Sequence, residues 1–414
     1  MKTIIVKPNT KDRQYGLLKS LSAIEPPLWC AIFANYYKAD TIIDAEVEDF
    51  SEEETVEAIL STNPKTVIIM ATGSHPSAHI QQKEAVISLA KKLEGKVPDI
   101  QPLFTLPLSP CRWTPPRWDL LPMKHYRAHN WHCWGEPSRY PYGTIFTSTG
   151  CPFNCDFCCI KSFYGHTFEQ RLMEDIERDF DDLAKLNIKN VKIMDELFLF
   201  NKKRAELICD SLIDKGYDFN IWAYARIDIV DKNLLKKMRK AGIKWLAYGI
   251  ETGNEIIRKK MSKGKFNNED VEEVVNITKD AGINVLGNYM FGFWDDTLRT
   301  MRETLDFAKK LKCEYSNFYC TVAYPGSQLY QEMVDKGFKL PKESSSYAQV
   351  SPNFKPLPTN YLSPKEVLNF RDWAFHEYFT DSNYLQMMDK KFGHNVVTEI
   401  LNMASIKLSR DKHD

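Results

Sequence analysis

The stretch that decides the fold class is Gly150-Cys-Pro-Phe-Asn-Cys-Asp-Phe-Cys158, which begins one residue after the predicted strand TIFTS at residues 144–148. Its cysteines have the spacing CxxxCxxC, and so tight a group among otherwise scattered cysteines indicates a metal site rather than disulfides. Three thiolates from one loop can each bind one iron of a 4Fe–4S cubane and leave the fourth iron open. The alternatives are a zinc site and a closed cluster with Cys159 as a fourth ligand. The spacing predicts an open, catalytic cluster held by Cys151, Cys155 and Cys158.

Strand and helix patterns alternate around and beyond this stretch, and glycines follow three of the helices, where a left-handed cap favours glycine. Six βα units fit a partial (β/α)6 barrel, in which functional groups cluster at the carboxyl ends of the strands. The predicted strands are residues 144–148, 191–195, 219–224, 245–250, 285–291 and 316–322, and the predicted helices are 168–186, 202–215, 232–241, 268–281 and 297–311.

Further motifs follow these strands: Asp195-Glu196-x-Phe198, Ala225-Arg226-x-Asp228, Gly249-Ile-Glu-Thr-Gly253, Tyr289-Met-Phe-Gly292 and Pro325-Gly-Ser-x-Leu-Tyr330. With Phe157 at the aromatic position before the last cysteine, their order and spacing resemble the radical SAM superfamily over about residues 142–340. The Asp-Glu-x-Phe variant is similar to the subgroup with an N-terminal cobalamin-binding domain.

The resemblance implies a role for each matching residue. Cys151, Cys155 and Cys158 would hold the cluster, whose open iron S-adenosylmethionine (SAM) would chelate through its amine and carboxylate. The other implied SAM contacts are Glu196 to the methionyl ammonium, Arg226 near the methionyl carboxylate, Glu251 to the ribose, and Phe157 with the Phe291 and Gly292 backbone around the adenine. Arg226 has an alternative role as an ion-pair partner of Asp228 or Glu251. No substrate-converting catalytic residue can be assigned from the sequence.

Residues 1–95 resemble a shortened cobalamin-binding, Rossmann-like parallel sheet. Three βα units are recognisable, with strands at 2–7, 40–44 and 66–71, and the family's Asp-x-His-x-x-Gly motif is absent. We expect a remnant domain, with the rings of Trp113, Trp118, Trp131 and Trp134 filling the space of a corrin. Cobalamin bound without that histidine is the alternative.

The remaining segments complete the predicted architecture. Residues 96–142 are rich in Pro and Trp and are predicted to be an irregular connector packed on its neighbours. His125, His129 and His132 lie in it as packing histidines, with a metal site as the alternative. Residues 143–340 form the predicted radical SAM core. Residues 341–414 are predicted to be a small helical tail that opens with a loop and whose first helix starts at the capping box Ser363-x-x-Glu366.

Composition limits the class of function. Lys+Arg and Asp+Glu each total 55, so the chain has no net charge that favours nucleic acid or an anionic membrane. No apolar run approaches the roughly 20 residues of a membrane span, so we expect a cytoplasmic location.

The predicted function is radical chemistry on a small molecule, with electrons from a donor such as flavodoxin or ferredoxin. Cobalamin-dependent methyl transfer is one outcome, and cobalamin-free rearrangement, oxidation or cyclisation is another. A non-catalytic iron–sulfur or zinc module is the alternative from a different class. Substrate and oligomeric state cannot be read from the sequence.

Overall fold

The computed structural model describes residues 2–73, 75–104, 113–261, 263–264 and 266–410. Its N-terminal region is a four-stranded, fully parallel sheet with the order β2-β1-β3-β4. The strands are rich in Ile and Val, and apolar clusters cover both faces of the sheet, as a parallel sheet requires. The strands are β1 Thr3–Lys7, β2 Thr41–Asp44, β3 Thr66–Met70 and β4 Asp99–Leu103, and the helices are α1 Lys11–Tyr15, α2 Leu28–Tyr36, α3 Glu52–Ser61, α4 Pro76–Ile80 and α5 Lys83–Leu93.

The fourth strand corrects the predicted boundary at residue 95. β4 pairs in parallel with β3, so the N-terminal sheet extends to Leu103 and takes in the first part of the predicted connector. The sequence DIQPL hides this strand because it contains a proline and little apolar alternation. Pro102 is tolerated because β4 lies at the edge of the sheet.

The second sheet has six parallel strands in chain order, β12-β11-β10-β9-β8-β5. This is the strand order of the predicted partial (β/α)6 barrel, and all six predicted strands are confirmed to within a few residues. The strands are β5 Tyr142–Ile145, β8 Asn190–Ile193, β9 Asn220–Ala225, β10 Ile243–Glu251, β11 Asn284–Phe291 and β12 Tyr315–Cys320. The helices are α6 Lys161–Tyr164, α7 Met173–Lys185, α8 Lys202–Lys215, α9 Lys232–Lys240, α10 Glu255–Lys260, α11 Asn268–Asp280, α12 Leu298–Leu311 and α13 Gln328–Asp335.

A short hairpin flanks the cysteine loop. β6 (Ser148–Gly150) pairs antiparallel with β7 (Phe168–Gln170), so the helix predicted from residue 168 begins instead at Met173. Gly150 has φ +87°, and a Cβ there would lie 2.2 Å from the Thr167 carbonyl oxygen. The loop that carries the cysteines therefore depends on glycine at its first turn.

The connector closes the amino-terminal end of the six-stranded sheet. Trp131 packs against Trp222, Trp245 and Tyr315, and Trp134 packs against Trp245 and Tyr315. His132 lies beside them, with Nε2 3.0 Å from the carbonyl oxygen of Asn220, the first residue of β9. These rings lie at the end of the barrel remote from its motif residues.

The helical tail is confirmed, with α14 Pro364–Phe379, α15 Ser382–Phe392 and α16 His394–Ser405. The predicted capping box of Ser363 and Glu366 is present at the start of α14. The Tyr378 and Tyr384 hydroxyls donate to the carbonyls of Cys313 and Glu314, which anchors the tail beside β12. Within the described residues, no helix is long and apolar enough to cross a membrane.

Candidate active site

The three motif cysteines lie in one loop between β6 and α6. Cys151, Cys155 and Cys158 are all half-buried free thiols, and the Cys158 N–H donates to the Cys155 carbonyl at 3.1 Å. Burial raises the pKa of Cys158 to about 12. Cys159 is buried and Cys30 lies in the N-terminal core, so both have the surroundings of packing residues.

This donor set fits an iron–sulfur cubane. Among the described residues, no three His, Cys, Asp or Glu side chains converge closely enough to hold one metal ion. Ligands of a cubane do not need to converge, because each thiolate binds a different iron. Three thiols from one short loop, with cationic side chains beside them, match that requirement.

Arg226 supplies one of these cations. Its guanidinium makes a bidentate ion pair with Asp228, at 2.9 and 2.8 Å, and Nη1 lies 3.8 Å from Cys155 Sγ. The guanidinium also stacks on Phe153, 3.7 Å from the ring centroid. The alternative pairing with Asp228 is therefore present, and Arg226 is also in contact with the cysteine loop.

Glu196 follows β8 and faces the same loop. Its Oε2 accepts the Gly150 N–H at 3.1 Å, which ties it to the residue preceding Cys151. The neighbouring Asp195 is fully buried and accepts the Thr147 N–H at 2.6 Å and the Ser148 hydroxyl at 2.6 Å. Asp195 thus holds the strand ends together, and Glu196 carries its carboxylate into the site.

Glu251 ends β10 in a strained conformation, with φ +67°. Its Oε1 lies 2.8 Å from Lys263 Nζ, and both side chains are nearly buried. The Lys263 carbonyl in turn accepts from Arg226 Nη2 at 2.6 Å. Lys263 therefore joins the two motif residues Arg226 and Glu251, although no sequence motif marks it.

The residues predicted to surround the adenine make contacts within the protein. Phe157 packs perpendicular to Phe293 in a small apolar cluster. The Gly292 N–H donates to Asp296 at 2.9 Å, and the Phe291 carbonyl accepts from the Thr321 N–H at 2.8 Å. The Gly292 N–H and the Phe291 carbonyl are therefore engaged within the protein, and Phe293 is an aromatic neighbour of Phe157.

A cavity of about 900 Å³ opens onto part of this site. Its walls include Cys158, Glu196 and Glu251 from the barrel, and Lys7 and Thr72 from the carboxyl ends of β1 and β3. Both parallel sheets thus present their carboxyl edges to one space, which is where ligands bind in open α/β folds.

The expectation that four connector tryptophans fill this space is wrong. Only Trp131 of the four lines the cavity, from the closed end of the barrel. Trp134 packs beyond it, Trp118 is buried in the core, and Trp113 donates to Glu169 at 2.8 Å. Trp131 and Trp134 cover the amino-terminal end of the barrel, whereas Trp113 contacts β7, so the four rings do not gather in one place.

Two polar pairs cross the cavity between the sheets. Lys192, on the inner face of β8, places Nζ 2.9 Å from Glu25 Oε1 and 4.8 Å from the Trp222 ring centroid. His75 Nε2 lies 2.7 Å from the Tyr224 hydroxyl. Burial lowers the pKa of His75 to about 3, so its imidazole is neutral. A lone lysine inside an apolar strand is the only sequence signal for these contacts.

The histidine run of the connector does not form a common site. Ala23 N–H donates to His129 Nδ1 at 3.2 Å, whereas His132 contacts β9. Burial lowers the pKa of His129 to about 4 and that of His132 to about 3. Both are neutral packing groups, as expected.

The barrel sheet has six parallel strands in chain order, and the cysteine loop lies at its carboxyl edge. This arrangement is that of an α/β barrel that binds a metal cluster. The family model of the Radical SAM superfamily matches residues 145–308, and the chain therefore contains a radical SAM domain.

An uncharacterized methyltransferase of Pyrococcus horikoshii is 29% identical over 66% of this chain and 58% of its own length. The bacteriochlorophyllide d C-8(2)-methyltransferase of Chlorobaculum tepidum is 27% identical over 55% of this chain and 54% of that protein. The chain thus spans less than two thirds of these relatives.

Solved structures share the fold of both sheets. The radical SAM methyltransferase TsrM from Kitasatospora setae, with cobalamin and a [4Fe-4S] cluster bound, has a TM-score of 0.61 at 14% identity. It covers 83% of this chain and 80% of that one. The cobalamin-dependent radical SAM enzyme OxsB has a TM-score of 0.56 at 16% identity over 94% of this chain and 61% of its own. The N-terminal sheet, the barrel and the tail therefore have the fold of radical SAM enzymes.

Proposed function

We propose that this chain is a radical SAM enzyme that transfers a methyl group to a small-molecule substrate, with cobalamin bound in the cavity between the two sheets. The observation that carries the proposal is this cavity of about 900 Å³, which joins the cysteine loop to the strand ends of the N-terminal sheet. Methyltransferase names among the relatives support the same reaction class.

The proposed cluster ligands are Cys151, Cys155 and Cys158. When bound and reduced, the cluster supplies the electron that cleaves SAM to methionine and a 5′-deoxyadenosyl radical. Arg226, 3.8 Å from Cys155 Sγ, stabilises the thiolate by its positive charge. Because Arg226 is already paired with Asp228, its position is fixed before SAM binds.

The proposed SAM contacts are Glu196, Glu251 and Phe157. Glu196 holds its carboxylate beside Gly150. In this position the carboxylate can accept a hydrogen bond from the methionyl ammonium. Glu251 lies deeper, where Lys263 orients its carboxylate toward the ribose. Phe157 and Phe293 form the apolar wall for the adenine, and a buried wall of this kind also excludes water from the radical.

The cavity is proposed to hold the corrin against the N-terminal strand ends. The space is present because three of the four connector tryptophans pack outside it and Trp131 contributes only to its wall. A neutral His75 lies at this edge, but its Nε2 is engaged with Tyr224, so the proposal does not assign it as a cobalt ligand. A second candidate function is cobalamin-free hydrogen abstraction, which the missing Asp-x-His-x-x-Gly motif favours.

Two measurements test the proposal. Anaerobically reconstituted protein with SAM and a strong reductant should release 5′-deoxyadenosine. Equilibrium dialysis with hydroxocobalamin should show a one-to-one complex. Ser77→Trp, which adds an indole to the cavity wall, should abolish cobalamin binding and leave the iron content unchanged.

The matched control is Ser61→Trp, on the exposed end of α3. It should leave both measurements as in wild type. Release of 5′-deoxyadenosine without any cobalamin binding would select the second candidate, and no release at all would exclude both.

A further inference from the structure

An exposed aromatic surface lies over the outer side of the cysteine loop. Phe200 is 40% exposed, and its ring packs edge-on against Phe153, which lies between Cys151 and Cys155, and against Phe168 of β7. Pro152 and Asn154 of the same loop are also exposed. We call Pro152, Phe153, Asn154 and Phe200 the loop surface.

The loop surface is connected to a cluster thiol by continuous packing. The Phe200 and Phe153 ring centroids lie 6.0 Å apart. Phe153 is covered by the Arg226 guanidinium at 3.7 Å, and Arg226 Nη1 lies 3.8 Å from Cys155 Sγ. Solvent-exposed atoms are therefore only two side chains away from a proposed iron ligand.

Positive charge borders the loop surface. Lys202 and Lys203, both exposed, are the first two residues of α8 and directly follow Phe200 and Asn201. Cations at a helix amino terminus oppose the helix dipole, and the first turn of α8 contains no acidic residue. Helix stability therefore does not explain them. The acidic group near them is Asp231, 3.9 Å from Lys202 Nζ, whose carboxylate also caps α9.

We propose that the loop surface, with Lys202 and Lys203, is the docking site of an acidic one-electron carrier protein of the flavodoxin or ferredoxin type. The inference rests on the proposed function, since only a redox cluster needs such a partner. An apolar centre with a charged rim is the usual anatomy of a small, transient interface, and opposite charge accelerates encounter. Docking here brings the carrier's redox centre to the side of the loop that the substrate cavity does not use.

The step is a single electron transfer. The reduced carrier loses one electron, the oxidised cluster gains it, and no bond is made or broken. Small reductants reach the cluster without this surface, whereas a carrier protein needs it. The two kinds of reductant therefore separate docking from chemistry.

The test compares 5′-deoxyadenosine formation driven by reduced flavodoxin with that driven by reduced methyl viologen. Lys202→Glu with Lys203→Glu, and separately Phe200→Ala, should slow the flavodoxin-driven rate about tenfold or more at low ionic strength. The viologen-driven rate and the iron content should stay as in wild type. The matched control is the double variant Lys236→Glu with Lys240→Glu. These two lysines are exposed toward the other end of the neighbouring helix α9, so the variant makes the same charge change and should alter neither rate.

Binding supplies a readout that needs no turnover. Flavodoxin should bind wild-type protein more weakly as salt rises, and the Lys202 and Lys203 variant should lose both the binding and its salt dependence. A flavodoxin-driven rate within twofold of wild type in both variants would overturn the docking site, as would a matching loss with viologen. If wild type forms no 5′-deoxyadenosine with either reductant, the proposed function fails instead.

Discussion

The two parallel sheets present the same topological edge to one cavity but use it differently. At the barrel edge, Arg226 and Glu196 contact the cysteine loop. At the N-terminal edge, Lys7 forms ion pairs with Glu46 at 3.2 Å and Asp44 at 3.7 Å. The Tyr126 hydroxyl donates to Asp44 at 2.9 Å, so this group of one ammonium and two carboxylates is partnered within the protein.

The difference teaches that strand ends locate a site but do not define its chemistry. Burial disfavours the charged ammonium of Lys7, yet the Asp44 and Glu46 carboxylates raise its pKa above the usual value. The N-terminal edge is therefore a preformed wall whose charged groups are partnered with one another. At the barrel edge the charges are paired as well, Arg226 with Asp228 and Glu251 with Lys263, but Arg226 also lies beside a motif thiol. A wall and a reaction centre on opposite sides of one cavity match the proposed division between corrin binding and SAM cleavage.

The largest effect that distinguishes the two edges is expected from removal of the three motif thiols at the barrel edge. The variant with Cys151→Ala, Cys155→Ala and Cys158→Ala should fall from about four irons per chain to almost none after anaerobic reconstitution. Cys209→Ala, in the buried face of α8, is the matched control and should retain the iron. Full iron in the triple variant, or stoichiometric zinc in wild type purified anaerobically, would contradict the assignment.

The N-terminal edge can be tested by removing its cation. Lys7→Met leaves the Asp44 and Glu46 carboxylates buried without their cation, which should reduce the free energy of unfolding by about 3 kcal/mol. Chemical denaturation measures the loss, and the iron content should not change. Adding Asp44→Asn and Glu46→Gln removes the uncompensated charges and should restore much of the stability. Unchanged stability in Lys7→Met would show that these charges are not coupled.

The sequence predicted the barrel well because each of its strands ends in a motif and is followed by a helix with a clear start or stop. It failed where the local signal is short or contradictory. β4 contains Pro102, and β6 and β7 have three residues each, too few to show a period of two.

Contacts between distant segments also could not be predicted from the sequence. Lys263 joins Arg226 and Glu251, and Glu25 pairs with Lys192 across 167 positions, so neither pairing leaves a local pattern. The tryptophans were assigned to the wrong place for the same reason. Their sequence position between the two sheets does not state which surface each ring packs against.

The smallest expected effect is a pH dependence that both regions share. Burial lowers the pKa of His79, behind the N-terminal sheet, to about 4, and that of His132, under the barrel, to about 3. A folded-state pKa below the unfolded value of about 6.5 means that only the unfolded chain binds the proton near pH 6, so stability falls as pH falls. Each histidine should lower the free energy of unfolding by about 0.7 kcal/mol between pH 7 and pH 6.

His79→Gln and His132→Gln, which can still donate to the Phe104 and Asn220 carbonyls, should each remove that increment. An unchanged pH dependence in either variant would mean that its histidine titrates in the folded protein as it does in the unfolded chain.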